Sequence, residues 1–162
     1  MPHPRYKTSL GLDLGTHCGW AMFDGVEVSH GVWRCGISKG EHRGMRLMRL
    51  FTHLNNMGVR LGRPDIVYFE DVKRHNSHLA REVYFGLLGI VMLWASQQSE
   101  PIPMIGLGVG KIKKFATGSG NAKKEQMIAA LPRRFHGVTD DNEADAIHTL
   151  IYGRSLEISL EI

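Results

Sequence analysis

Two short turns divide the start of the chain into three apolar segments. The first segment, residues 7–14, ends at the turn GTH, and the second, residues 19–23, ends at Asp24-Gly25. Asp-Gly between two apolar runs is typical of a two-residue hairpin turn, and a third strand pattern follows it in VEVSHGVW. The sequence therefore predicts that the chain opens with three antiparallel strands.

The remaining segments alternate between helix and strand patterns. Residues 40–61 carry apolar side chains near helical period, DIVYFED is a short strand pattern, and residues 77–98 form a long apolar helix pattern. PIPMIGL indicates another strand, followed by a lysine-rich helical turn, a helix beginning near Ala122 and a last helix beginning at 140–145. This order predicts an α/β fold: one mixed sheet, with three antiparallel strands followed by parallel strands and with helices on both faces.

Length and composition limit the classes of protein. At 162 residues the chain fits one domain, residues 1–162, and its net charge of +4 permits a polyanionic partner. Its two cysteines have no CxxC spacing and no apolar targeting segment precedes them, so we expect reduced thiols and a cytoplasmic location. The longest apolar segment, residues 83–95, is too short to span a bilayer, so we expect a core helix and no membrane partner.

Acidic residues stand at places where a buried sheet would not tolerate free charge. Asp13 lies inside the first apolar strand, and Glu70 lies at the carboxyl end of the strand DIVYFED. In the last helix, Asp141 and Asn142 precede Asp145 by four and three residues, so each shares a helix face with it. Such a cluster is costly unless it is paired, and hard cations such as Mg²⁺ offset the repulsion through oxygen ligands. The acids therefore predict a metal site.

Several neighbouring polar residues are expected to lie outside that site. Asp71 follows Glu70 directly, and adjacent side chains on a strand point to opposite faces. Asp140 and Glu143 are expected only to complement the amino end of the last helix. The histidines lack the spacing of zinc ligands.

Four motifs, taken together and in order, resemble one family. LGLDLGTHCGWA, VYFEDV, IKKFATGSGNAKKEQM and DDNEADAIH are similar to the RuvC-type Holliday junction resolvases, particularly small phage-encoded members, within the RNase H-like fold. The resemblance extends from about residue 8 to residue 153. It implies a homodimeric endonuclease of DNA recombination and repair that binds four-way junctions and makes paired nicks. It also implies Mg²⁺ or Mn²⁺ as cofactor, with two ions per active site, and no small-molecule substrate.

The family's metal-binding acids match Asp13, Glu70 and Asp145, which we expect to be catalytic together with Lys124. Asn142 stands where the family usually has a third acid or a histidine. The fourth ligand is therefore either Asn142, through its amide oxygen, or Asp141, which is slightly favoured because a charged oxygen binds a hard cation better.

The resemblance also assigns basic residues to DNA. The family's lysines match Lys113 and Lys124, and Lys124 is expected to contact the scissile phosphate. Lys73 and Arg74 replace an aromatic residue of some members, so we expect phosphate contact there instead of base stacking. Further basic residues are concentrated between positions 111 and 134. The full set of predicted DNA contacts is Lys73, Arg74, Lys111, Lys113, Lys114, Lys123 and Lys124.

Other functional classes remain open. A module that binds branched DNA with weak catalysis would follow from a weak fourth ligand. Another RNase H-like nuclease, acting on RNA–DNA hybrids or structured RNA, would share the acids. Sugar-kinase and actin-type ATPases share the LDLGT motif, but they need two such domains to enclose a nucleotide, and 162 residues supply one.

Overall fold

A computed structural model describes residues 5–159 and contains a five-stranded mixed sheet. Strands β1 (Ser9–Asp13), β2 (His17–Phe23) and β3 (Val28–Arg34) pair antiparallel in sequence order. β4 (Ile66–Asp71) pairs parallel with β1, and β5 (Met104–Gly108) pairs parallel with β4. The strand order is β3-β2-β1-β4-β5, which confirms the predicted sheet.

Helices cover both faces of this sheet, as expected. α1 (Met45–Leu61) and α2 (His78–Ser96) pack against each other over one face. α5 (Asp141–Ser159) lies on the other face, against β1, β2 and β4. The short helices α3 (Val109–Thr117) and α4 (Lys124–Ala129) follow β5 and contact α5.

Alternation along the strands decides which side chains reach which layer. Leu10 and Leu12 of β1 are fully buried in the core beneath α1 and α2. Gly11 faces α5 on the opposite side of the sheet, because a Cβ there would lie 2.7 Å from the carbonyl oxygen of Ala146 in α5. Asp13 follows Gly11 at the strand period of two, so it lies on the α5 face, and the same alternation in β4 brings Glu70 to that face.

Close backbone contact holds the first turn of α5 against the sheet. Gly19 of β2 is paired with Asp13 of β1 in the strand register. A Cβ on Gly19 would lie 1.9 Å from the carbonyl oxygen of Asn142, so no larger residue fits there without moving α5. The glycine therefore lets the acidic start of α5 lie beside the end of β1.

One helix boundary differs from the sequence expectation. α1 begins at Met45, although its apolar pattern suggests a start at residue 40. Gly40 has a φ of +87°, which a right-handed helix does not contain, and the N–H of Ser38 donates to the Glu41 carboxylate in a local turn. The helix therefore starts only after this turn.

α2 is a core helix on one side only. Tyr84, Leu87 and Val91 are buried against the sheet, whereas Phe85 and Met92 are more than half exposed. Among the described residues, α2 is the one helix long and apolar enough to cross a membrane by length and composition alone, a test that core helices also pass. The prediction of a core helix is correct for the buried side of α2, whereas its other side leaves apolar side chains exposed.

Candidate active site

Asp13 and Glu70 lie side by side at the ends of two neighbouring parallel strands. The β1–β4 register ends with Leu12 opposite Phe69, which brings the next residue of each strand together. Burial and then the nearby charge of Glu70 raise the pKa of Asp13 well above its usual range. Burial and then the charge of Asp145 raise the pKa of Glu70 to about 7, against a hydrogen bond from Asp13 that lowers it.

α5 adds two further carboxylates to this pair. Burial raises the pKa of Asp145 to about 6, and the charge of Asp141 acts in the same direction. The Oδ1 atom of Asp145 is buried without a hydrogen-bond partner. Asp141 also raises the pKa of Asp13, so the structure brings the acids of β1, β4 and α5 into one cluster.

Two of the predicted lysines flank the acids. Lys113 of α3 lowers the pKa of both Glu70 and Asp145 through its charge. Lys124, the first residue of α4, forms an ion pair with Asp141, and that contact raises the pKa of the lysine. The positive charge of these two side chains offsets part of the repulsion within the cluster.

The other predicted DNA contacts lie on the surface of the protein. Lys73 is 79% exposed and its Nζ lies 2.5 Å from a carboxylate oxygen of Asp71. Asp71 therefore lies away from Glu70 and pairs with a lysine, as the strand alternation predicts. The remaining four side chains are exposed: Arg74, Lys111, Lys114 and Lys123.

The polar residues expected to lie outside the site have other partners. Asp140 accepts hydrogen bonds from the first backbone N–H groups of α5, as an N-terminal cap does. Glu143 contacts His30 at 2.6 Å. His148 is buried, and its Nε2 lies 2.8 Å from the carbonyl oxygen of Met127.

Asn142 and Asp141 are placed differently. The backbone of Asn142 packs on Gly19, and its N–H donates to Asp140 at 2.9 Å. Asp141 directs its carboxylate to Lys124 and acts on the charges of the cluster. The electrostatics therefore favour Asp141 over Asn142 as the additional polar group of the site.

The donor atoms fit a hard divalent cation. All are carboxylate oxygens, the Oδ1 atom of Asp145 has no hydrogen-bond partner, and burial together with repulsion between the carboxylates raises the pKa of Asp13 and Glu70. Within residues 5–159, however, no three His, Cys, Asp or Glu side chains are arranged to hold an ion as they stand. The carboxylates would have to turn toward a common ion.

A cavity at the same end of the sheet was missed by sequence reasoning. It lies beside Leu14 and Gly15, directly after Asp13, and includes Arg46 of α1 and His75 of the segment after β4. Arg46 and His75 come from separate segments and belong to no motif, so no spacing signal was available to find them.

Sequence comparisons identify no relative: no family model matches the chain, and no curated protein matches it significantly. Solved structures do match. Thermus thermophilus RuvC, in complex with a Holliday junction substrate, has a TM-score of 0.73 at 22% identity, over 93% of this chain and 97% of that one. Another structure of Thermus thermophilus RuvC has a TM-score of 0.71 at 23% identity, over 94% and 96%.

A more distant match is the yeast mitochondrial Holliday junction resolvase Ydc2. Its TM-score is 0.66 at 14% identity, over 99% of this chain and 82% of that chain. These matches show that the chain has the RNase H-like fold of RuvC, as its four motifs predicted.

Proposed function

We propose that this protein is a structure-selective, divalent-metal-dependent endonuclease that resolves four-way and related branched DNA junctions by paired nicks. The observation that carries the proposal is the buried cluster of Asp13, Glu70 and Asp145 with Lys113 and Lys124 beside it. The fold supports it, because a protein with the same fold has been solved with a Holliday junction substrate.

Asp13, Glu70 and Asp145 would hold the metal, with Asp141 as the favoured fourth group. Bound Mg²⁺ or Mn²⁺ would stabilise charge on the attacking and leaving oxygens of a phosphodiester and lower the pKa of a bound water. Asp13 is the candidate to hold both ions, because it interacts with Glu70 of the neighbouring strand and with Asp145 of α5.

The lysines would act on the phosphate. Lys124 is 74% exposed at its side chain, so it can reach DNA from its contact with Asp141. Its charge would stabilise negative charge that develops in the transition state. Lys113 is less exposed, and its charge lowers the pKa of both Glu70 and Asp145, which favours the ionised form that binds a cation.

A homodimer would explain paired nicks. A four-way junction presents two equivalent strands, and a twofold dimer places one active site on each. The groove between α1 and α2 supports this proposal, because Met45, Met48 and Leu93 expose 40%, 57% and 47% of their surface there. A second copy would cover this apolar surface, which soluble monomers rarely expose.

The test is a substrate panel: labelled four-way junction, duplex, flap and RNA–DNA hybrid, each with and without Mg²⁺, with Asp13→Asn as the control for contaminating nuclease. We expect paired nicks in the junction with Mg²⁺ and junction binding without it. Preferred cleavage of the hybrid would assign the site to a different RNase H-like activity. Junction binding with no cleavage in Mg²⁺ or Mn²⁺ would identify a DNA-binding module instead.

A further inference from the structure

A partly buried polar contact outside the acid cluster joins the edge strand β3 to the first turn of α5. The Nδ1 atom of His30 lies 2.6 Å from the Oε1 atom of Glu143, although the two residues are 113 positions apart in the chain. Their side chains are only 26% and 19% exposed. An ionised carboxylate can only accept a hydrogen bond, so the Nδ1–H of His30 donates to Glu143. A hydrogen bond to a charged group is stronger than one between neutral groups.

The position of Glu143 in α5 connects this contact to the acid cluster. Glu143 comes two residues after Asp141 and two residues before Asp145, and helix residues two apart do not face each other. Glu143 therefore leaves α5 on a different side from the two aspartates, toward β3. A contact that holds Glu143 fixes the turn that carries both aspartates, and it occupies neither of their carboxylates.

His30 is itself held in place. Its ring packs edge-on against the ring of Phe135, with the centroids 5.3 Å apart and the ring planes at 77°. Phe135 is buried in an apolar cluster that includes Val138 and Ile147. The strand register pairs His30 with Ala21 of β2, which is fully buried. His30 is therefore a fixed point of the sheet to which the first turn of α5 is attached.

The other contacts of this turn restrain it less. The carbonyl oxygen of Asn142 lies against Gly19, which limits how closely α5 approaches the sheet but leaves the helix able to rotate. Asp141 pairs with Lys124, whose side chain is mostly exposed, and exposed ion pairs contribute little. The contact between His30 and Glu143 is more buried than that ion pair. It is therefore the stronger polar restraint on the rotation of the turn.

The position of this turn matters for metal binding. Within residues 5–159 no three acidic, histidine or cysteine side chains already surround an ion position, so the acids of the sheet and of α5 must converge to hold one. We propose that His30 and Glu143 are positioning residues, whose hydrogen bond fixes the turn so that Asp145 can share an ion with Asp13 and Glu70. The inference rests on the proposed metal-dependent function and adds to it two residues that lie outside the acid cluster.

The experiment measures Mg²⁺ and Mn²⁺ binding without DNA, by titration calorimetry at a temperature at which each variant is folded. His30→Phe keeps the ring packing but loses the donor, and Glu143→Ala loses the acceptor; both are made singly and together. His30→Asn and Glu143→Gln are the conservative variants, because each keeps a hydrogen-bonding group. Glu41→Ala is the matched control, since Glu41 pairs with Arg49 at similar exposure but lies in the turn before α1.

His30→Phe and Glu143→Ala should each weaken metal binding by about 10- to 100-fold, the usual effect of losing a group that orients metal ligands. The double variant should bind no more weakly than either single variant, because both remove the same contact. His30→Asn and Glu143→Gln should recover most of the affinity. Glu41→Ala should bind metal like the wild type even if it melts at a lower temperature, because a loss of stability alone does not change metal affinity.

Nicking of a four-way junction by the same proteins gives a second measurement. In His30→Phe and Glu143→Ala, the Mg²⁺ concentration for half-maximal nicking should rise by the same factor as the dissociation constant, whereas junction binding without metal should be unchanged. A loss of junction binding instead would assign the pair to DNA contact and overturn the inference.

Three further results would overturn it: metal affinity in His30→Phe and Glu143→Ala equal to that of the wild type, losses that multiply in the double variant, or no recovery in His30→Asn. In each case the wild type still binds metal and cuts junctions. A wild type that binds metal but cuts no junction would refute the proposed function, while metal binding would still test the pair. A wild type that binds neither ion would refute both.

Discussion

Asp13 and Glu70 meet through a hydrogen bond at the ends of neighbouring parallel strands, on the sheet face that carries α5. Each strand contributes one carboxylate to this face, because the following residue points away. Asp71 demonstrates the alternation, since it pairs with Lys73 instead of joining the cluster. Asp71 is therefore a control for substitutions of Glu70, because it is an acid one position away that lies outside the cluster.

The first prediction compares that control with the clustered acids. Asp13→Asn, Glu70→Gln and Asp145→Asn should each lower single-turnover nicking of a four-way junction by ~10²–10³-fold or more, because charge stabilisation in the transition state is lost. Junction binding, measured by electrophoretic shift without metal, should be retained. Asp71→Asn should nick at the wild-type rate.

Near-normal nicking by any of the three acid variants would show that its carboxylate is not a metal ligand. A large loss in Asp71→Asn would instead point to a general effect of charge at the end of β4.

The second prediction concerns stability against pH without metal. The pKa of Glu70 is about 7 in the folded protein against an ordinary value of 4.5, and that of Asp145 is about 6 against 3.8. The folded state holds these protons more tightly than the unfolded state does. The contribution of these two groups to the free energy of unfolding is therefore fully present below their ordinary pKa values, and it is lost as the pH rises through their folded pKa values of about 6 and about 7.

Glu70→Gln removes one of these groups, so its melting temperature in EDTA should exceed that of the wild type increasingly from pH 5 to pH 8. The difference should reach several degrees, since a domain of this size shifts by ~2–4 °C per kcal/mol. Asp71→Asn should show no such trend. Added Mg²⁺ should stabilise the wild type more than Glu70→Gln, and a pH-independent difference would contradict the burial of Glu70 as a charged group.

The third prediction separates two roles of lysine. Lys124→Ala should slow nicking by bound protein by about 10²–10³-fold, because its charge acts where the transition state becomes negative. Lys111→Ala should instead weaken junction binding and reduce the slope of log affinity against log salt by about 0.9, the value of one phosphate contact. Single-turnover cleavage at saturating protein and binding at several salt concentrations distinguish them. A Lys124→Ala variant that binds weakly but cuts normally would contradict this assignment.

The fourth prediction concerns the fourth polar group. Asp141→Ala should reduce nicking or Mg²⁺ affinity by about 10- to 100-fold, as loss of a group that supports a metal site does. Asn142→Ala should have little effect, because Asn142 contacts the sheet through its backbone oxygen, which alanine keeps. Titration of nicking with Mg²⁺ checks both variants. Equal activity in the two would show that three acids suffice.

The fifth prediction tests the close contact beneath α5. Gly19→Ala should lower the free energy of unfolding by ~1–3 kcal/mol and impair nicking, because its Cβ would displace the start of α5. Gly58→Ala in α1 is the matched control, since nothing lies within 4 Å of its Cβ position. It should raise stability by ~0.5–1 kcal/mol. Denaturant unfolding measures both, and an unchanged Gly19→Ala protein would mean that α5 does not depend on this contact.

The clustering of these acids was predictable from sequence because each interrupts an apolar pattern or shares a helix face. Asp13 and Glu70 stand in strand patterns, and Asp141 and Asp145 have helical spacing. Sequence alternation also separated Glu70 from Asp71. These signals are local, and the fold brought their residues together as expected.

Other parts of the molecule depend on contacts that no local pattern encodes. The fit of Gly19 under Asn142 and the cavity between Arg46 and His75 join residues far apart in the chain. Helical period likewise could not show which side of α2 stays exposed, because that depends on the packing of other elements against it. The start of α1 was wrong for a local reason, the turn around Gly40.

The position of α5 across β1 and β2 has a consequence for the protein during its synthesis. Asp13 and Glu70 leave the ribosome early, but Asp145 and the helix that carries it emerge only after β5, α3 and α4. Contacts between such distant parts of the chain form late in folding. A nascent chain therefore exposes basic and apolar surface before it can assemble the cluster, and the proposed nuclease activity would appear only once the helix that completes the cluster has docked.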